Sequence, residues 1–358
     1  MQKPARKPAE RPLNRPGRAK NFGPECHFGE FSQYCRKARL GTSPVVKPPA
    51  AGHPVSMSST VTVNGSIEEA PPPAAMTCET AFRAAATQYF DQLSAQHKDT
   101  SAGDALALHA MRVALTRFRT TIALFLPMVE GDEEVRLAAE LKWLNAHLGI
   151  VRDLDVALER LAKTGQSARA TERSWRNERA ACQRHLNRAL GSPRYRRLVR
   201  DLAAWIEHGD WSRKRATKAV ERRAQPAAPY CSHKLQEWRK KLLKKSRKLK
   251  SVGARKRHRV RLANKRLNYA TETVMKLIPA SETPAYQATL RLLRQAQKSL
   301  GQLNDDERRR SLTAALGGDK VDQVDLLLDT KQKKRLMRKA VKAYDELTKL
   351  EPLKSSGG

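Results

Sequence analysis

From Glu79 onward apolar residues recur at the three-to-four-residue spacing of amphipathic helices, and no stretch alternates convincingly at the two-residue period of a strand. The period predicts a helix over residues 81–97, a second that Asp104 caps and Pro127 with Gly131 closes, and a third over 133–148 that stops near Gly149. Asp153 or Asp155 is expected to open a fourth over 156–162. A helix over 167–190 follows, then a break at Gly191-Ser192-Pro193, then a helix burying Tyr195, Leu198, Val199, Leu202, Trp205 and Ile206. Gly209, Pro226 and Pro229 among basic residues mark 209–230 as a linker. Beyond it the plan repeats: helices over 232–249, through His258 to Leu277, over 286–300 after a break at Pro279 and Pro284, a short one after Asn304, and a closing one near 333–350. The expected fold class is all-α, spanning 78–350 in halves of about 78–208 and 231–350.

Two of these helices carry one polar pattern about 150 residues apart. The first reads His109-Ala110-Met111-Arg112-Val113-Ala114-Leu115-Thr116-Arg117-Phe118-Arg119, the second His258-Arg259-Val260-Arg261-Leu262-Ala263-Asn264-Lys265-Arg266-Leu267-Asn268-Tyr269. Aligned on the histidines, both place Arg three positions on, an aliphatic residue at four, Ala at five, Arg at eight and an apolar residue at nine. At about 100° per residue, His109, Arg112, Arg117 and Arg119 fall within an arc of roughly 160°, opposite Met111, Leu115, Phe118, Ile122 and Phe125. The second copy groups His258, Arg261, Lys265 and Arg266 against Val260, Ala263, Leu267 and Val274. Val113 and Leu262 sit inside the cationic arcs, so each arc is expected to border another helix.

A second motif follows each first one. Leu141-Lys142-Trp143-Leu144 leads to Leu148-Gly149-Ile150-Val151-Arg152-Asp153-Leu154-Asp155, and Leu290-Arg291-Leu292-Leu293 leads to Leu300-Gly301-Gln302-Leu303-Asn304-Asp305-Asp306. The ordered, duplicated pair of signatures resembles the CHAD domain, named for its histidines in an α-helical setting, over about residues 80–350. Thr116 stands where that family usually has Lys or Arg, and Asn268 where it usually has Arg. The resemblance implies two helical bundles related by approximate two-fold pseudosymmetry, with the cationic helices brought together around a basic groove or pore. Such a groove would be long enough to take several phosphates of a linear polyanion such as inorganic polyphosphate.

The charge agrees with such a partner. Seventy Lys and Arg against 36 Asp and Glu leave a formal net charge of +34 on 358 residues, far more than solubility needs, so a polyanion is the expected partner. Nucleic acid, an anionic membrane surface and inorganic polyphosphate all qualify. Only five Trp and few other aromatics speak against single-strand binding by base stacking. No apolar run approaches a membrane span and no apolar segment follows the basic N-terminus, so a cytoplasmic protein without membrane insertion is expected, with polyphosphate granules as a place of association.

Residues 1–77 are rich in Pro, Gly, Arg, Lys, Ala and Ser with no sustained apolar period, the composition of a disordered segment. Met57 and Met76 lie inside it as candidate starts. None of the five cysteines forms a C-x-x-C pair, and Cys26-His27 with Cys35 matches no zinc spacing, so incidental thiols are expected and no metal or cofactor.

Guanidinium forks take phosphate oxygens in bidentate fashion and Lys adds point charge, so cations spaced along helices suit a linear anion charged at every unit. The expected polyphosphate ligands are His109, Arg112, Arg117, Arg119, Lys142, Arg152, His258, Arg261, Lys265 and Arg266. A solvated face would not require the same cation at the same offset twice, although the run from Lys240 to Lys248 reads equally well as one. The histidines either touch phosphate or are structural. Asp153, Asp155, Asp305 and Asp306, with Asn304 beside them, either hold Mg²⁺ or cap helices and orient arginines; too few oxygens converge for a hard metal, which favours orientation. No Walker, H-E-x-x-H, G-x-S-x-G or E-x-E-x-K motif is present, so a stand-alone binding module, not an enzyme, is expected. Non-specific nucleic-acid binding is the alternative, and a scaffold for acidic protein tails a third.

Overall fold

A computed structural model describes residues 76–162, 169–316 and 327–353. The expectation of disorder over 1–77 therefore lies outside the described residues, except at Met76 and Thr77. Those two are built into the fold: the Met76 carbonyl accepts from Ala227 N–H at 2.9 Å, and the Thr77 hydroxyl caps the first helix by accepting from Thr80 N–H at 3.2 Å.

The chain is all-α, as its periodicity predicts. The helices are α1 (Cys78–Ala95), α2 (His97–Ala102), α3 (Ala105–Leu124), α4 (Leu126–Val129), α5 (Asp132–Leu161), α6 (Arg169–Leu190) and α7 (Pro193–His208), then α8 (Asp210–Arg213) and α9 (Thr217–Ala224). The second half comprises α10 (Ala227–Ser246), α11 (Ala254–Val274), α12 (Thr283–Leu316) and α13 (Thr330–Lys349). Packing order repeats between halves: α1 lies on α3, α3 on α5 and α5 on α6, while α10 lies on α11, α11 on α12 and α12 on α13. Across the junction α3 packs on α11 and α5 on α12. One continuous apolar core runs from Cys78 to Leu353 and joins both halves.

Local chemistry explains the ends that were legible. Asp104 accepts from Leu106 N–H at 2.6 Å and Ala107 N–H at 2.9 Å, Ser192 caps α7 with Pro193 in the first turn, and Asp329 with Gln332 forms a capping box on α13. The expected packing face of α3, Met111 through Phe125, is buried throughout. On α7 Tyr195, Leu198, Leu202, Trp205 and Ile206 are buried, and Val199 packs partly covered against them.

Two expectations need correcting. Helices do not break at Gly149 or Gly301: α5 and α12 run straight through, because a single interior Gly costs only about 1 kcal/mol against Ala and flanking leucines bury on both sides. Asp153, Asp155, Asp305 and Asp306 are therefore mid-helix and cap nothing. The 209–230 stretch is no loose linker either. Its Trp211 is buried against Phe82, with ring centroids 5.2 Å apart, and donates from Nε1 to the Trp205 carbonyl at 2.9 Å. Gly209 allows this approach, since a Cβ there would stand 2.6 Å from Trp205 and 2.8 Å from Trp211. Arg223 then reaches Glu79 at 3.4 Å, and Gln225 accepts from Cys78 N–H at 2.8 Å, which ties the crossover to α1.

Candidate functional site

The junction of α3, α5, α11 and α12 gathers cations from both copies of the repeat. Arg112 on α3 is crowded by neighbouring atoms, and its guanidinium stands in the field of Asp153, Arg308, Arg261 and Arg152. Its Nη1 is buried without a hydrogen-bond acceptor. Arg261, its repeat mate on α11, feels Asp305, Arg308 and Asp153, and its Nε is likewise buried and unpartnered. Burial lowers the pKa of both guanidiniums, yet they remain charged at any ordinary pH. Between them Lys265 makes no hydrogen bond or ion pair among the described residues, its ammonium 5.5 Å from the Tyr269 ring centroid. Burial first, then Arg112, Arg261 and Arg308, push Lys265 down to about 7.

The histidines flank this group. His109 lies at the exposed rim, and its imidazole is held below the ordinary value by crowding and then by Arg152, Lys265 and Arg112. His258 is half-buried and bonds through Nδ1 to Asn304 Oδ1 at 2.7 Å. In that amide orientation Nδ1–H donates, leaving Nε2 as the basic nitrogen. Burial lowers its pKa, the Asn304 bond opposes that, and Arg261 and Arg308 lower it further.

Carboxylates attend the group without neutralising it. Asp153 pairs with Arg308 across the two halves, and Asp305 faces Arg261. Asp155 and Asp306 are turned to structure instead: Asp155 accepts from Arg179 Nε at 3.0 Å, linking α5 to α6, and Asp306 holds Lys333 at 3.0 Å and accepts from Leu328 N–H at 2.6 Å. Among the described residues no three His, Cys, Asp or Glu side chains cluster as metal ligands.

Of the ten cations expected from sequence, six meet here: His109, Arg112, Arg152, His258, Arg261 and Lys265. Arg152 also pairs with Glu159 at 3.0 Å. Arg119 and Lys142 extend the row. Arg119 is two turns from Arg112 on the same face of α3, Lys142 two turns from Gly149 on the same face of α5, and the helices run antiparallel, so both fall about 10 Å along. Arg117 and Arg266 stand apart. Arg117 pairs with Glu272 at 3.0 Å beneath the Tyr269 ring, and Arg266 lies over Trp238 at 5.6 Å. Glu272 also takes Arg294, which stands seven residues before Gly301 as Lys142 stands before Gly149, at 3.0 Å and Asn268 Nδ2 at 3.1 Å, so the matching row in the second half is neutralised. The Asn at position 268 thus serves that carboxylate.

Arg308 is the member that sequence reading missed. It lies seven residues after Gly301 and so on the face of Gly301 and Asn304, a signal visible only if α12 continues through the glycine. In the first half the same position is Val156, so the repeat could not point to it.

A pseudosymmetric all-helical module that concentrates cations at the junction of its halves is the class that fold and site define. The family model for the CHAD domain matches residues 84–314, and the chain belongs to that family. The crystal structure of the CHAD domain from the plant Ricinus communis superposes with a TM-score of 0.62 at 23% identity, covering 85% of this chain and 100% of that one. No curated protein matches the chain.

Proposed function

We propose that the protein binds inorganic polyphosphate, with the junction cluster as its central subsite and Arg119 and Lys142 continuing the track along the first half. The convergence of Arg112, Arg261, Lys265 and Arg308 supports this most directly. Like charges gathered in a partly desolvated site repel one another, so folding opposes such a group unless an anion is to enter it. Buried N–H groups on Arg112 and Arg261 lack acceptors that phosphate oxygens would supply. The chain acts as a binding module without catalysis, and the ligand places it in the cytoplasm beside polyphosphate granules.

Nucleic acid is the competing ligand, favoured by the exposed Lys240, Lys241, Lys244 and Lys245 on the outer face of α10. Base readout needs Asn, Gln or stacking rings, and the junction offers cations instead. A competition titration of the whole protein with long-chain polyphosphate, short polyphosphates and DNA at near-physiological salt decides between them. Displacement of polyphosphate by equimolar DNA phosphate would overturn the reading.

A further inference from the structure

Between Glu237 and Glu272 the sequence holds no Asp or Glu, although Lys and Arg are dense there. Exposed from this stretch are Lys244 and Lys245 at the end of α10, Lys248 and Lys250 in the turn that follows, and Lys256 and Arg259 on the first turns of α11. None of these six side chains forms an ion pair or hydrogen bond among the described residues. Surface cations elsewhere are often paired, as Arg136 is with Asp201 at 2.7 Å and Arg194 with Glu140 at 2.6 Å. The turn is held in place. Leu249 is buried, Arg257 Nη1 donates to the Val252 carbonyl at 2.8 Å, and Ser251 Oγ donates to the Lys248 carbonyl at 3.1 Å.

Two contacts bring the start of α13 to the same end of the second half. His258 meets Asn304 and Lys333 meets Asp306, both partners lying within one turn of α12. Lys331, Lys334 and Arg335 are exposed there. Helices α11 and α13 therefore begin at one end, neither has an acidic residue in its first turn, and α11 has no side-chain cap. Cations at a helix start oppose the macrodipole, so helix formation does not account for them. An anion from outside does, because it meets the cations and the positive helix ends together.

We propose that this end of the second half is a docking surface for double-stranded DNA, held by its phosphates without regard to sequence and outside the junction cluster. The cations spread over three helix ends instead of following one row, which suits the phosphates of two strands. Residues 240–259 and 331–342 contain no Phe, Trp or Tyr, so a single strand finds nothing to stack on. The exposed large apolar side chains Leu106, Val135 and Val220 belong to α3, α5 and α9, so the surface offers a bilayer no inserting group. Lysine dominates the surface, a point charge that does not dictate the geometry of its partner. The inference goes beyond the polyphosphate reading and does not depend on which anion the junction takes.

The test is fluorescence anisotropy of a short mixed-sequence DNA duplex with the full chain over a range of salt. Lys244→Gln with Lys245→Gln and Lys248→Gln should weaken duplex binding at least about tenfold and flatten the log-log salt slope by about 2.7, at about 0.9 per phosphate contact. Arg196→Gln with Arg197→Gln and Arg200→Gln removes as much charge from the exposed face of α7 and should change the slope far less. Tripolyphosphate, as a probe of the junction, should bind the lysine variant as it binds the parent, and circular dichroism checks that helix content persists. Equal slope changes in the two triple variants would overturn the proposal in favour of diffuse charge. Tighter binding of the single strand, or of phosphatidylserine vesicles, than of the duplex would overturn it as well. Duplex binding lost in Arg112→Gln with Arg261→Gln but kept in the lysine variant would return DNA to the junction and overturn it. Lysine-dependent duplex binding in a protein that fails to bind polyphosphate would uphold the proposal and retire only the junction's ligand.

Discussion

The guanidinium of Arg112 lies against the backbone of Gly149 so closely that a Cβ on the glycine would stand 2.9 Å from Nη1. Gly301, its repeat counterpart, has open space at the same position. Glycine is thus retained in the middle of α5 where an arginine must cross the helix, at a cost in helix propensity.

Replacing each glycine by alanine separates the two roles. Gly301→Ala should stabilise the protein by about 1 kcal/mol and leave polyphosphate affinity unchanged. Gly149→Ala should gain less and weaken binding about three- to tenfold, because the methyl pushes Arg112 from its place and one charge-assisted bond is worth about 1.5 kcal/mol. Thermal melts and titrations of the two variants check this; equal affinities would remove Arg112 from the site.

Salt dependence should identify which cations touch phosphate. The log-log slope of affinity against salt falls by about 0.7 per phosphate contact on a single-stranded polyanion, so Arg112→Gln with Arg261→Gln should flatten it by about 1.4. The pairs Arg117→Gln with Arg266→Gln, and Lys240→Gln with Lys241→Gln, should change it far less, since Arg117 is bound to Glu272, Arg266 lies on Trp238, and both lysines are solvated. Equal slopes for all three pairs would assign binding to diffuse charge.

Binding should take up protons. Phosphate favours the charged forms of Lys265, His109 and His258, whose values in the free protein lie below ordinary, so affinity is greatest at low pH and falls as pH rises through the raised, bound-state values. Lys265→Met should abolish the part above about pH 7, and His109→Gln with His258→Gln the part below it. In the free protein the sign is opposite. Between about 7 and the ordinary 10.5 the unfolded lysine holds a proton that the folded one has lost, so stability rises with pH across that window. Calorimetry in two buffers of different ionisation enthalpy and melts at pH 7 and 9 test both halves.

A chain that begins at Met76 should keep the helix content, melting temperature and polyphosphate affinity of the whole. One that begins at Arg83 should melt far lower, because it loses the Thr77 cap, the Met76 and Cys78 bonds to residues 225–227, and Phe82, whose ring meets Phe125, Trp205 and Trp211. Removing Phe82 alone is worth about 3–5 kcal/mol. Similar melts for the two shortened chains would contradict the pinned crossover.

By itself the sequence determined what depends on neighbours along the chain. Helix content, the caps at Asp104 and Ser192, the buried stripe from Met111 to Phe125 and the duplicated cation spacing all follow from a 3.6-residue period that local geometry enforces. Only the tertiary structure decided which charges meet. Arg117 and Arg266 share an offset with Arg112 and Arg261 to within five residues, yet five residues rotate a side chain by about 140° and hand it to a different neighbour, here Glu272 and Trp238. Arg308 enters the site because α12 ignores the Gly301 that local reading takes as a stop, and the Lys265 pKa falls first because the fold buries the amine and then because Arg112, Arg261 and Arg308, from three helices, act on it. Burial and long-range charge act through space, so no spacing along the chain encodes them on its own.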